Sequence, residues 1–193
     1  MIGIRVIEKQ LVLGFLGADD ERSIMDNKDK NELVDIFYLR LSEAAAERKT
    51  TVNQLVRSLG HHAFKRKNHL FYVVPHVTLL ADIAQGLDLT CDYLVGLADQ
   101  SLPEYSSTGD YDSDEVRFSV WCRFLDLIEE SGYSTRKMSE IVHSDIVTIN
   151  RWINRESIPE TLFLFRLCRN FGYSFDYMIG LTEEKKLPGP YVP

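Results

Sequence analysis

The chain has 193 residues, carries a net charge of −7 and is 45% hydrophobic. This composition is typical of a folded globular protein with one large domain or two small ones. The longest apolar stretch near the N-terminus, residues 11–16, is far shorter than the ~20 residues that a membrane span needs, so we expect neither a membrane span nor a secretory signal. Three scattered cysteines without a CxxC pair favour reduced thiols in the cytoplasm over a disulfide framework.

The sequence lacks the motifs that mark the common kinds of catalytic site. It has no glycine-rich phosphate loop, no GxSxG and no HExxH. Four of the five histidines fall within residues 61–76, but no cysteine or carboxylate lies in that window to complete a ligand set. We therefore expect no enzymatic activity, no metal site and no small-molecule cofactor.

Residues 1–30 are predicted to form an N-terminal extension, and the pattern leaves its structure open. Ile2, Ile4 and Val6 alternate as they would in a strand. The spacing of Ile4, Ile7, Leu11 and Phe15 also fits a helix. Both interpretations stay open, and we expect the extension to cover its own domain.

The first predicted domain covers residues 31–102. Helices are predicted over Glu32–Arg48 and Thr51–Leu59, the second ending before Gly60. The next segment is cationic, because it contains Lys65, Arg66 and Lys67 and no acidic residue. Such a run is often only a solvated surface, but it also suits contact with phosphates, and both interpretations stay open.

A repeat of 23 residues links the two halves of the chain. Segments 75–97 and 159–181 align without a gap at an offset of 84 residues. The identical pairs are Pro75/Pro159, Leu80/Leu164, Asp92/Asp176, Tyr93/Tyr177, Gly96/Gly180 and Leu97/Leu181. Each copy predicts a helix that begins near the proline, then a short helix that Thr90 or Ser174 caps and glycine ends. The paired aspartates fall in the first turn of the short helix, where a carboxylate interacts favourably with the helix dipole.

Residues 103–115 are predicted to form an acidic linker between the copies. They contain five carboxylates together with Pro, Ser and Gly, and no Lys or Arg. From residue 116 onward the chain has ten acidic and ten basic residues, so its net charge does not exclude binding to DNA through a local basic face. Residues 188–193 contain three prolines and are predicted to be an extended tail.

The second predicted domain covers residues 116–187. Helices are predicted over Val116–Ser131, Thr135–Val142 and Ile146–Asn154 upstream of the repeat. Ser134 is the expected cap of the second of these helices, and Ile149 and Trp152 of the third are expected to face inward. Together with the repeat this makes five helices per copy and no strand, so the predicted fold class is all-α.

This layout resembles the Cro/C1-type helix-turn-helix domain of the XRE family, with a lambda-repressor-like fold. The second copy is similar to the family over residues 124–181, and His143 and Arg155 stand where the family has glycine. The matching positions are Met138, Ser139, Ile149, Asn150, Arg151, Trp152, Pro159, Gly172, Asp176, Met178 and Gly180. The first copy resembles the family downstream of Pro75 and is degenerate upstream. The resemblance implies two tandem helix-turn-helix domains in a sequence-specific transcriptional regulator.

The same resemblance implies that double-stranded DNA is the partner and that the third helix of the second copy enters the major groove. The implied base-reading residues are Ile146, Val147, Asn150 and Arg151. Arginine suits guanine, asparagine suits adenine and aliphatic side chains suit the thymine methyl group. The implied phosphate contacts are Thr135, Arg136, Asn154 and Arg155, joined by Lys65, Arg66 and Lys67 of the first copy.

Two alternatives stay open at this point. Ile146 and Val147 also fit a protein contact, in which case the chain is an interaction or oligomerisation module of helix-turn-helix ancestry that no longer binds DNA. Homodimerisation is open as well, because a helix-turn-helix usually works as one of two and this chain already carries both copies. We favour a division of labour in which residues 116–187 read bases and residues 31–102 add phosphate contacts or a dimer surface.

Overall fold

The computed structural model describes residues 18–62, 66–67, 70–71, 74–101 and 112–186, and of residues 18–26 and the two short segments it describes the backbone alone. The predictions for residues 1–17, for Lys65, for most of the linker and for the tail lie outside this range. The described part is mostly helical, which confirms the all-α prediction. None of its helices is long and apolar enough to cross a membrane.

The described elements fall into two halves that follow the repeat. The N-terminal unit contains α1 (Ala18–Glu47), α2 (Val52–Ser58), β1 (Arg66–Lys67), β2 (Leu70–Phe71), α3 (Val77–Leu87) and α4 (Cys91–Leu94). The C-terminal unit contains α5 (Ser113–Ser131), α6 (Thr135–Val142), α7 (Ile146–Ile153), α8 (Thr161–Phe171) and α9 (Phe175–Met178). Buried apolar side chains of both units form one continuous hydrophobic core.

Helix α1 is much longer than predicted, because it begins at Ala18 rather than at Glu32. The sequence contains no glycine or proline between Gly17 and Gly60. No helix-breaking residue therefore prevents the helix from beginning upstream of Glu32. The predicted boundary at residue 30 therefore falls inside α1. The added turns matter for the second unit, because Asp29 lies in them.

The N-terminal unit has no third helix among its described residues, which corrects the prediction of five helices and no strand in each copy. An antiparallel hairpin takes that place, with Arg66 paired to Phe71 and Lys67 paired to Leu70. The sequence from residue 70 to residue 74, LFYVV, is aromatic and β-branched, and such residues favour strands over helices.

The predicted capping residues lie where the sequence placed them. Ser134 caps α6, Thr90 caps α4 and Ser174 caps α9, each by accepting a hydrogen bond from a backbone N–H of the first turn. The start of α5 moves to Ser113, since Asp112 and Glu115 form a capping box and the last residues of the predicted linker are helical.

The two units meet at their short helices, where each unit's aspartate caps the helix of the other. Asp176 Oδ1 and Oδ2 accept hydrogen bonds from the backbone N–H groups of Cys91 and Asp92, at 2.9 and 2.8 Å. Asp92 in turn accepts from the Phe175 N–H at 2.6 Å and from the Ser174 hydroxyl at 2.5 Å. Both aspartates are buried. The prediction that they favour their own helix dipole therefore misses their main partners.

The packing of longer helices between the units also forms an equivalent pair. Helix α3 packs against α5, and its counterpart α8 packs against α1. Such an exchange is what a two-fold axis between similar units produces. The pairs differ in chemistry, because α8 adds a buried Arg166–Asp29 ion pair whose Nε and Oδ2 atoms are 2.9 Å apart.

In each unit an arginine on the long first helix binds backbone carbonyl oxygens at the last short helix, a contact that we call the arginine lock. Arg40 donates to the carbonyl oxygens of Tyr93 and Ala98, and its guanidinium lies 4.2 Å from the Tyr93 ring centroid. Arg123 donates to the carbonyl oxygens of Tyr177 and Thr182, with its guanidinium 4.1 Å from the Tyr177 ring centroid. Sequence reasoning missed this pair, because the two arginines are 83 residues apart rather than 84.

Candidate nucleic-acid interface

The helix pair α6–α7 is built around a turn that requires a left-handed residue. His143 ends α6 with φ of 55°, the conformation that glycine adopts most readily. Asp145 then caps α7 by accepting a hydrogen bond from the Thr148 N–H at 2.7 Å. That bond lowers the pKa of Asp145, so the start of α7 carries a carboxylate at neutral pH.

The inner side of α7 is fixed by aromatic packing. Ile149 and Trp152 are buried, as predicted. The Trp152 ring meets Phe124 of α5 edge-on at 5.5 Å between centroids, and it lies 5.4 Å from Phe163 of α8. This packing leaves the opposite side of α7 facing outward.

The four predicted base-reading residues all lie on that outward side. Ile146 is 43% exposed and Val147 is 61% exposed, although both are large aliphatic side chains. Asn150 and Arg151, one turn further along, are exposed as well. The structure thus brings these residues together on one exposed helix face.

The predicted phosphate residues of the second copy flank this face unequally. Thr135 is half-buried at the start of α6, and Asn154 is exposed at the end of α7. The Arg136 side chain is 82% exposed, and its Nε lies 3.7 Å from Glu140. Lys137, which sequence reasoning missed, is also exposed and lies 3.4 Å from the same carboxylate. Both cations are therefore partly neutralised by an exposed surface partner.

Arg155 is held toward α5, although its side chain stays exposed. Its guanidinium carbon lies 5.2 Å from the Phe118 ring centroid and 5.0 Å from the Trp121 ring centroid. The Trp121 ring donates a hydrogen bond to the Ile153 carbonyl oxygen at 3.2 Å, which ties the end of α7 to the same helix. Arg155 itself has φ of 60°, in the left-handed region that glycine adopts most readily.

The cationic residues of the first copy are only partly placed. Arg66 and Lys67 form strand β1 of the hairpin, so they do not lie on a helix. Lys65 lies outside the described residues. The hairpin follows α2 as α7 follows α6, and it occupies the corresponding position in the order of elements.

A buried arginine stabilises the α6–α7 turn through a hydrogen bond to the end of α6. Arg166 of α8 is 4% exposed and donates to the Val142 carbonyl oxygen, at the end of α6, at 2.8 Å. Its other side binds Asp29 of α1, as described above. Sequence reasoning missed this link, because Asp29 lies in the predicted extension. The first unit therefore helps to hold the turn of the second.

Replacing His143 with glycine is expected to stabilise the protein by about 1 kcal/mol, because the left-handed conformation strains a residue with a side chain. Thermal or urea unfolding measures the change. Lys28→Gly, in the exposed middle of α1, is the matched control and is expected to destabilise by about 1 kcal/mol. A lower midpoint for His143→Gly would contradict the assigned turn.

Comparison of the chain with protein-family models, with curated proteins and with solved structures gives no match. Among the described residues, no group of three His, Cys, Asp or Glu side chains is arranged to hold a metal ion. The candidate functional surface is therefore the α6–α7 face itself.

Proposed function

We propose that the chain is a sequence-specific DNA-binding transcriptional regulator of the Cro/C1 type that acts in the cytoplasm and has no catalytic role. The observation that carries this proposal is the outward face of α7, where two aliphatic side chains, an amide and a guanidinium lie together. This set matches the donors, acceptors and methyl groups that base edges present in the major groove. Arg136 and Asn154 flank the face and, on this proposal, contact phosphates.

The turn between α6 and α7 supports the helix-turn-helix part of the proposal. A left-handed residue ends α6, a capped α7 follows after a short connection, and Ile149 and Trp152 anchor the second helix. A base-reading helix must be held rigidly, because bidentate contacts tolerate little displacement. On this proposal the chain consists of two tandem domains of helix-turn-helix descent, and the first has exchanged its third helix for a hairpin.

The charge on the α6–α7 face favours base contacts over strong non-specific binding. Its cations are Arg136, Lys137, Arg151 and Arg155, and its anions are Glu140, Asp145 and Glu156. Few counterions would be released from such a face, so affinity for random DNA is expected to be low and to depend only weakly on salt. The alternative function, a protein-interaction module, is favoured by the exposure of Ile146 and Val147, because adjacent exposed apolar side chains rimmed by polar residues also mark protein contacts.

Arg151→Ala is expected to weaken binding to a selected duplex by about 1–3 kcal/mol and to relax the preference at one base pair. Arg136→Ala is expected to weaken all sequences alike and to reduce the slope of log K against log salt by about 1. The two effects differ because a base contact carries sequence information and a phosphate contact does not. Selection from random duplex DNA, followed by titrations at several salt concentrations, measures both.

Lys30→Ala, an exposed cation on α1, is the matched control and is expected to leave preference and salt slope unchanged. Equal, sequence-blind losses from Arg151→Ala and Arg136→Ala would contradict the role of Arg151. Absence of salt-dependent retention on a DNA column, with no sequence enriched, would favour the protein-interaction alternative.

A further inference from the structure

The contact between the two units has the form of a dimer interface within one chain. The carboxylate of Asp176 caps α4, and the carboxylate of Asp92 caps α9. The cap that Asp176 forms on the Cys91 N–H has its counterpart in the cap that Asp92 forms on the Phe175 N–H, an arrangement like that of an isologous interface between two identical subunits. The packing of α3 on α5 and of α8 on α1 repeats the same exchange.

The hydrogen-bonding groups of this interface are already paired within the single chain. Cys91, Asp92, Phe175 and Asp176 are all buried within the single chain. Their polar groups are paired across the two units, so a second chain finds no free donor or acceptor of this set to bind. A copy of the protein therefore cannot dimerise through this surface without first separating the two units.

The two units differ at the elements that correspond to DNA-reading positions. The arginine locks of Arg40 and Arg123 show that the units are equivalent around α4 and α9. After α6 the C-terminal unit places helix α7, whereas after α2 the N-terminal unit places the β1–β2 hairpin. A related pair of identical units would present two α7 helices to a duplex, and this chain presents one helix and one cationic hairpin.

On the basis of the proposed function, we propose that a single chain binds one asymmetric duplex site as an internal pseudo-dimer. Helix α7 reads bases in one half of the site, and the hairpin segment with Arg66 and Lys67 binds the phosphate backbone of the other half. Two-fold related proteins bind palindromic sites because the site mirrors their symmetry. A base-reading helix and a phosphate-binding hairpin on one chain instead favour a site without dyad symmetry.

The inference is tested by selection with the full chain from a pool of random duplexes, followed by measurement of complex mass and backbone footprint. The expected result is a free chain of 22.2 kDa, one chain per selected duplex, and a preferred sequence without dyad symmetry. The footprint is expected to extend beyond the preferred bases on one side. The double variant Arg66→Ala/Lys67→Ala is expected to lose that flanking protection, lower the salt slope by about 2 and keep the preferred sequence.

Lys28→Ala/Lys30→Ala, which removes two exposed cations from α1, is the matched control and should change neither the footprint nor the slope. A palindromic preferred sequence with two chains per duplex would overturn the inference and leave the proposed function standing. A dimeric free chain would overturn it without reference to DNA. Absence of any enriched sequence would overturn the proposed function itself, and a single-chain complex that is indifferent to the hairpin variant would overturn the role of the hairpin.

Discussion

Replacing Asp176 with alanine is expected to lower the free energy of unfolding by about 2–6 kcal/mol. The change leaves the backbone N–H groups of Cys91 and Asp92 without acceptors in a buried interface, and each unsatisfied buried donor costs about 1–3 kcal/mol. Because the interface joins the two units, the loss should appear as a lower midpoint of the whole transition. Urea unfolding followed by circular dichroism measures it.

The control for this prediction is Asp126→Ala, since Asp126 is an exposed aspartate on α5 and its removal is expected to change stability by less than about 0.5 kcal/mol. An Asp176→Ala variant as stable as this control would show that the reciprocal caps do not form in solution.

The same carboxylates give the interface a pH dependence whose sign follows from their burial. Burial raises the pKa of Asp92 and of Asp176, and the neighbouring Asp176 raises that of Asp92 further. The folded protein therefore holds a proton that the unfolded chain releases above pH of about 4. The stabilisation that comes from these raised pKa values is fully present below that pH. It is lost as the pH rises through the pKa values that the two aspartates have in the folded protein. The side chain of an Asp92→Asn variant can still form hydrogen bonds with the Phe175 N–H and the Ser174 hydroxyl, and it carries no charge. The stability of this variant relative to the parent protein should therefore increase with pH.

Replacing Asp29 with alanine is expected to cost about 3–5 kcal/mol, the usual loss when one partner of a buried ion pair is removed. Arg166 would keep its charge in a site where its side chain is 4% exposed, with the Val142 carbonyl oxygen as the partner described above. The loss should also loosen the α6–α7 turn, because Arg166 braces it. Unfolding and amide exchange at residues 142–149 measure the two effects.

Glu32→Ala provides the matched control one turn along α1. Glu32 lies 3.2 Å from Arg169, and both side chains of that pair are partly exposed, so its loss is expected to cost less than about 1 kcal/mol. The double change Asp29→Leu/Arg166→Met is expected to recover much of the stability, since packed apolar residues often replace a buried ion pair without loss. A single Asp29→Ala variant no weaker than Glu32→Ala would contradict the buried link.

The helices of the C-terminal unit were predictable because their signals are local. Ser134 caps α6, apolar residues recur at helical spacing in α5 and α7, and α6 spans the predicted residues. The outward position of Ile146, Val147, Asn150 and Arg151 followed from the same periodicity, since Ile149 and Trp152 had to face the core. Periodicity fixes which side of a helix is buried, and the exposed side follows.

The sequence by itself determined the helical character of the chain, the repeat at 84 residues and the caps Thr90, Ser174 and Ser134. Those features depend on residues within a few positions of one another, so local propensity and spacing suffice to find them. The hairpin was missed because its short strands compete closely with a helix, and packing decides such cases.

Only the tertiary structure decided the partners of Asp92, Asp176, Asp29 and Arg166. Each forms its main contact with a residue more than 80 positions away, and no spacing rule reaches across that distance. A carboxylate in the first turn of a helix can serve its own helix or a neighbouring one equally well. Which of the two occurs depends on how the units dock. Burial excludes water, so each buried charge and backbone donor must be paired with a protein group, and the docking decides which groups lie within reach.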